Sequence, residues 1–264
     1  MSFSQTAKNE ICRIAPEERG CQIAELSAII KTSGTVSLNS INNIGFRIMT
    51  ENPAIARKAF TLIKSCFNIH PEVLVKRNRQ LKKNNTYITL VSGARGAQTV
   101  LKECGILSAS SMSISITHGI KHSIIKTENA KRAYIRGAFL GGGSVTNPEK
   151  TYHLEFVNHT KEHADQLSEL INSYGLNSKV IQRKGSFVVY LKEGDQIVDL
   201  LNIIGAHNSL LNLENIRIYK EMRNNVNRLV NCETANLSKT VNASVRQIEC
   251  INIIKNTIGF KKLP

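Results

Sequence analysis

Several things are missing from this sequence, and most of the absences exclude a class of protein. No stretch approaches the roughly 18 consecutive apolar residues of a membrane span, and the start MSFSQTAKNEICRI has no basic segment followed by an apolar block. The expectation is therefore a soluble, cytoplasmic protein without a signal peptide. Cys12, Cys21, Cys66, Cys104, Cys232 and Cys250 include no C-x-x-C pair. They read as reduced, mostly buried thiols rather than a zinc site or a disulfide framework. Tryptophan is absent, which says little about chemistry. Acidic residues are in short supply, 20 against 35 lysines and arginines, for a net charge of +15. Such an excess suits a polyanionic partner, nucleic acid before an anionic membrane. A merely basic housekeeping protein is the plainer alternative.

What is present is a repeat. AYIRGAFLGGGSV, from Ala133 to Val145, reads as a helix running straight into a strand. Ala133, Gly137 and Gly141 recur every four residues and share one helix face. Glycine inside a helix costs roughly 1 kcal/mol against alanine, and a close helix–helix contact would repay it. AELSAIIKTSGTV, from Ala24 to Val36, aligns with it at constant offset: Ala24 with Ala133, Ala28 with Gly137, Gly34 with Gly143, Val36 with Val145. These two segments are expected to pack on each other through Ala24, Ala28, Ala133, Gly137 and Gly141.

The repeat continues. In the first copy a helix ends at Ser33, its first turn opening at Pro16-Glu17-Glu18. Strands 35–40 and 45–50 follow, turning at Asn42-Asn43, then a helix from Pro53, a hairpin of 72–79 and 86–92, and a helix 97–104 closed by Gly105. The second copy has helix 129–142, strands 144–146 and 152–158, and helix 160–174 capped by Thr160. It ends with strands 178–183 and 186–191 around Lys184-Gly185, a two-residue hairpin signal, and helix 195–204 closed by Gly205. FNIHPEVLVKR matches YGLNSKVIQRK, and VLKECGI matches LLNIIGA. The fold expectation is α+β: a duplicated α-β-β-α-β-β-α domain with a pseudo-twofold axis, monomeric, followed by C-terminal linker helices. Its divisions are an N-terminal helix (1–19), first repeat (20–105), connector (106–128), second repeat (129–207) and helical segment (208–264). ISISITHGI in the connector could add a strand. The last segment reads as a helix from Ser209 to Leu229, a break near 231–236, and a second helix with Val241, Val245, Ile248, Ile251 and Ile254 on one face.

This pattern, a helix ending in glycine, duplicated, each copy followed by β-β-α-β-β-α, resembles the LAGLIDADG homing-endonuclease fold. The resemblance implies that the residue before each final glycine should be an acid that holds a divalent metal over the scissile phosphate. Ser33 and Gly142 stand there instead, with Lys31 and Leu140 two residues earlier. The resemblance therefore implies the scaffold without its catalysis: no catalytic residue, metal or cofactor. AYIRGAFLGGGSVTNPEKTYHLEF, NRLVNCETANLSKTVNASVRQIE and MSFSQTAKNEI resemble the WhiA family more closely still. That resemblance covers essentially the whole chain. It implies a DNA-binding transcription regulator of sporulation and cell division, nucleoid-associated, with a helix-turn-helix following Leu263-Pro264. That module is expected to be largely absent from this chain.

Double-stranded DNA is thus the expected partner, with a protein partner in transcription as a further possibility and no membrane partner. The residues expected to contact phosphates are Lys76, Arg77, Arg79, Lys82 and Lys83 on the first repeat's second hairpin, Arg183 and Lys184 on its counterpart, and Arg47 and Arg95. A solvated hairpin tip is the bland alternative. His118/His122 and His159/His163 have metal-like spacing but lack a third ligand, and read as ordinary surface or capping histidines. Gly141-Gly142-Gly143 follows a helix and lacks the lysine of a phosphate loop. A protein-interaction module without DNA affinity, and an endonuclease using unconventional acids, are the two rival functions.

Overall fold

The protein is described from a computed structural model, over residues 2–16, 18–38, 44–77, 85–93, 96–109 and 114–257. The turn at Asn42-Asn43 lies outside the described residues.

The first repeat is preceded by α1 (Phe3–Ile11), which Ser2 caps by accepting from the Gln5 amide. It contains α2 (Arg19–Ser33), β1 (Gly34–Leu38), β2 (Ile44–Thr50), α3 (Pro53–Phe67), β3 (Glu72–Arg77), β4 (Asn85–Val91) and α4 (Ala97–Glu103). A connector with β5 (Leu107–Ala109), β6 (Ile114–Ile116) and a 3₁₀ turn at His122–Ile124 leads to the second repeat. That repeat contains α5 (Glu128–Gly142), β7 (Gly143–Val145), β8 (Leu154–Asn158), α6 (Lys161–Asn172), β9 (Lys179–Arg183), β10 (Ser186–Leu191) and α7 (Gly194–Ile204). The two four-stranded antiparallel sheets have the same order, β1-β2-β4-β3 and β7-β8-β10-β9, and β5 and β6 form a separate ribbon.

Local chemistry explains the matching ends. Asn68 (φ 54°) and Gly175 (φ 80°) hold the same left-handed position after α3 and α6, which asparagine and glycine tolerate best. Gly105 (φ 65°) and Gly205 (φ 84°) end α4 and α7 alike. In each case the next amide bonds back to a helix carbonyl, Ile106 to Leu101 and Ala206 to Leu201, both at 2.8 Å. Lys184 and Gly185 both have positive φ, the geometry of a type I′ hairpin turn.

Helices α2 and α5 are buried on every side from Ala24 to Ile30 and from Ala133 to Leu140, as the central parts of a packed helix pair must be. A Cβ placed on Gly137 would overlap the Glu25 carbonyl and reach its carbon at 2.9 Å and the Ala28 Cβ at 3.0 Å. One on Gly141 would overlap the Thr32 hydroxyl. Ala24, Ala28 and Ala133 are fully buried. The core continues on either side, through Phe46, Ile48, Ile55 and Ile63 in the first repeat and Leu154, Phe156, Leu167 and Ile171 in the second.

Some expectations need correction. Pro16 does not open α2, which starts at Arg19 after Glu18. Thr160 precedes α6 without a side-chain capping bond. The C-terminal segment has no break near 231–236, since α8 runs from His207 to Thr257. NCETAN contains neither proline nor glycine, and asparagine and threonine alone cost a helix less than about 1 kcal/mol each. Within it the Thr240 and Ser244 hydroxyls bond to the Asn236 and Thr240 carbonyls one turn back. The chain divides into two compact units, Met1–Glu214 and Asn215–Pro264. In the second, Val241, Val245, Ile248 and Ile251 are exposed.

Candidate nucleic-acid interface

In each sheet one face lies against helices and the other is open. Along β2, Phe46 and Ile48 are buried while Arg47 and Met49 are exposed. Register carries that parity across the sheet: Arg47 lies opposite Leu90, Met49 opposite Ile88, Leu74 opposite Ile88 and Lys76 opposite Thr86. Arg47 and Lys76 thus share the open face, together with Glu72, Leu74 and Met49. Arg77, opposite Asn85, has the other parity. In the second sheet Phe156 is buried and Val157 points out. Val157 pairs with Val188 and Glu155 with Tyr190. Those strands place Ile181, Lys179 and Arg183 on the same open face. Lys184 sits in the following turn. Arg79, Lys82, Lys83 and Arg95 lie outside the described residues.

Reading charge clusters missed Lys179, which the alternation of Lys179, Ile181 and Arg183 would have placed beside Arg183. It also missed Lys192, whose ammonium lies 5.1 Å from the Tyr190 ring centre. The open faces are not purely basic. Glu155 is held by Ser144 Oγ at 3.3 Å and by His153 Nε2 at 3.2 Å.

Ser33 and Gly142, where the resemblance to the LAGLIDADG fold expects acids, stand at the ends of α2 and α5. Ser33 Oγ donates to the Ile29 carbonyl at 2.8 Å, so its hydroxyl is engaged within its own helix. Gly142 leaves no room for a side chain, since a Cβ there would lie 2.5 Å from the Val157 carbonyl oxygen and 3.2 Å from Thr32 Cβ. Ammonium groups sit beside both helix ends. Lys31 Nζ donates to the carbonyls of Thr117 at 2.8 Å and Gly119 at 2.7 Å. Lys8 Nζ donates to the Leu140 carbonyl at 3.1 Å. Burial lowers both lysines to about 8. No group of three or more His, Cys, Asp or Glu side chains arranged for a metal ion exists among the described residues.

The histidine reading needs one correction. His118, His122 and His159 are exposed, but His163 is buried. Tyr134 Oη lies 2.8 Å from His163 Nε2, and His163 Nδ1 lies 2.9 Å from Asn158 Oδ1. The Asn158 amide nitrogen donates to the Phe156 carbonyl, so its oxygen accepts from Nδ1–H and the tyrosine hydroxyl donates to Nε2. That chain requires a neutral imidazole. Burial first, then the positive charge of Lys31 and the neighbouring His159, push His163 down to about 3. The unfolded chain takes up this proton below about pH 6.5, whereas the fold refuses it until about 3. Stability is therefore lost on acidification through that window, at about 1.4 kcal/mol per pH unit. Urea unfolding at pH 7, 5.5 and 4.5 should show the loss, and His163→Gln should flatten the part due to this residue. An unchanged slope in the variant would refute the assignment.

Of the six cysteines, Cys21 and Cys104 are buried, Cys12 and Cys66 half-buried, and Cys232 and Cys250 exposed. All six are free thiols, but "mostly buried" holds only for Cys12, Cys21, Cys66 and Cys104 and not for the two in the C-terminal helix.

Comparison with known proteins identifies the scaffold. A family model for the WhiA N-terminal LAGLIDADG-like domain matches residues 19–107, and one for the WhiA LAGLIDADG-like domain matches 131–223. A third, for the WhiA C-terminal HTH domain, matches 226–264, beginning inside the segment read as linker rather than after Leu263-Pro264. The probable cell division protein WhiA of Clostridium novyi is 59% identical over 264 residues, covering 100% of this chain and 83% of that protein. Its namesake in Clostridium botulinum is 60% identical, covering 100% and 84%. The crystal structure of full-length WhiA from Thermatoga maritima matches with a TM-score of 0.72 at 24% identity, covering 100% of this chain and 83% of that one; at that identity it supports the fold alone. No helix among the described residues is long and apolar enough to cross a membrane. Two LAGLIDADG-like repeats without acids at their helix ends, followed by a segment matching an HTH domain, place this chain in the WhiA family.

Proposed function

We propose that this chain is a DNA-binding regulator of cell division, in which a homing-endonuclease scaffold contacts duplex DNA without cleaving it. The observation that carries the reading is the register: Arg47, Lys76, Lys179 and Arg183 share the open faces of the two sheets. Each can neutralise a phosphate and release a counterion. The segment matching the HTH domain supplies a second contact, and the relatives' name supplies the process. The absence of cleavage is supported by what stands at the two acid positions. The Ser33 hydroxyl is engaged, Gly142 has no space, and the ammonium groups beside them repel a cation where a nuclease must hold one.

Titrating duplex DNA at two salt concentrations, with and without Mg²⁺, tests this. Four phosphate contacts correspond to a log–log salt slope of about −3.6, before any contribution from the helical segment. Lys76→Gln/Arg183→Gln should make the slope shallower by about 2 units, with no strand scission at any Mg²⁺ level. An unchanged slope in the double variant relative to the parent would refute the sheet contacts, and cleavage would refute the loss of catalysis. The same faces carry Met49, Leu74, Val157 and Ile181, all exposed. Phosphate binding does not explain these apolar residues.

A further inference from the structure

The edge strand β3 is where the unexplained apolar surface is densest. It is the outermost strand of its sheet. Every residue from Glu72 to Arg77 is exposed, with Val73 at 45%, Leu74 at 53% and Val75 at 52%. Its outer row of amides and carbonyls has no neighbouring strand among the described residues. Three consecutive large apolar residues on an open edge form a template for another strand, and edges are usually protected against this by a central charge, proline or bulge.

The sequence of the edge says which strand. When two copies pair about a twofold axis perpendicular to the sheet, the same faces stay on the same side. Opposed residues then share parity. In the register centred on Leu74, Glu72-Val73-Leu74-Val75-Lys76 is complementary to itself. Glu72 faces Lys76 twice, Val73 faces Val75 twice, and Leu74 meets Leu74. Opposite charges and β-branched pairs are the favourable cross-strand combinations. The other outer strand shows the contrast. Pairing β9 with itself about Ile181 would set Lys179 against Arg183 twice, and pairing β3 with β9 in the equivalent register would set Lys76 against Lys179, with only the Glu72–Arg183 end of opposite sign. Like charges directly opposed disfavour both. Only β3 with β3 is complementary throughout.

We propose that two copies of this chain associate through antiparallel pairing of their β3 strands, an isologous contact that joins the two first-repeat sheets into one eight-stranded sheet. This departs from the monomer expected from the pseudo-symmetric repeat. It needs no DNA and does not rest on the function proposed above, so the two can fail separately.

Sedimentation velocity on the 264-residue protein without DNA is the test. The expected result is a concentration-dependent species of twice the monomer mass. Glu72→Lys should leave only monomer, because it sets lysine against lysine twice. Glu72→Lys/Lys76→Glu restores both opposite-charge pairs with reversed sense and should restore the dimer. Circular dichroism of each variant verifies that the exposed substitutions leave the fold intact. As an independent geometric readout, Leu74→Cys with Cys232→Ser and Cys250→Ser should form an oxidised covalent dimer. Residues meeting at such an axis are about 4.5–5.5 Å apart at Cα, within disulfide reach. The proposal is overturned if the protein stays monomeric up to about 1 mM, if Glu72→Lys still dimerises, if the charge reversal fails to restore association in a folded protein, or if Leu74→Cys does not crosslink.

Discussion

Replacing Gly137 with alanine is expected to destabilise the protein by about 3 kcal/mol or more. Alanine is the better helix former by roughly 1 kcal/mol, so an exposed glycine would show a gain. Here the added methyl would run into the backbone of Glu25, at the carbonyl oxygen and at its carbon, 2.9 Å away. Backbone in a buried helix cannot step aside, and the two central helices would have to separate. Gly141 is the matched comparison one turn on. Its nearest obstacle is the Thr32 hydroxyl, a side-chain group that already bonds to the Ala28 carbonyl at 2.7 Å. Gly141→Ala should therefore cost less than Gly137→Ala. Urea denaturation of both variants measures the difference, and a Gly137→Ala protein as stable as the parent would refute the close backbone contact.

The second large effect comes from Glu25, which is fully buried. Its carboxylate lies 3.4 Å from Lys58 Nζ and 3.2 Å from Arg136, both also buried. One negative charge thus serves two positive ones. Lys58 additionally donates to the Ile14 carbonyl, while Arg136 Nε has no hydrogen-bond partner. Glu25→Gln keeps the shape and removes the charge, leaving two buried cations facing a neutral amide. Loss of one member of a buried ionic cluster typically costs about 3–5 kcal/mol, which is the expected destabilisation. The triple variant Glu25→Leu/Lys58→Met/Arg136→Met removes all three charges together and should recover most of that loss. If the triple variant is no more stable than Glu25→Gln, shape rather than charge governs the site.

The parts of this fold legible in the sequence are those set by neighbours along the chain. The four-residue spacing of Ala133, Gly137 and Gly141 marks a helix face whatever packs on it. Lys184-Gly185 and Gly205 announce their turns through backbone preference alone. What was not legible depends on residues brought together from far apart. Glu25, Lys58 and Arg136 look in sequence like three ordinary surface charges. His163 reads as one member of an exposed pair until Tyr134 and Asn158 close around it. The open sheet faces were readable in part: basic clusters drew attention to Lys76 and Arg183, but which strand residues face outward had to come from register, and that put Arg77 on the other side. The end of the chain misled for a different reason. A run of asparagine and threonine suggests a break, yet without proline or glycine nothing obliges the helix to stop.

Gly142 has a consequence for what sequence change can reach as well as for chemistry. The carbonyl oxygen of Val157, 2.5 Å from where its Cβ would be, belongs to a strand fixed between two others in the second sheet. An aspartate cannot stand at position 142 unless β8 moves, and β8 cannot move without disturbing both neighbours. A metal-holding acid at this position is thus closed to any single substitution. The backbone here works as a lock: a carboxylate at position 142 requires several coordinated changes, none useful alone.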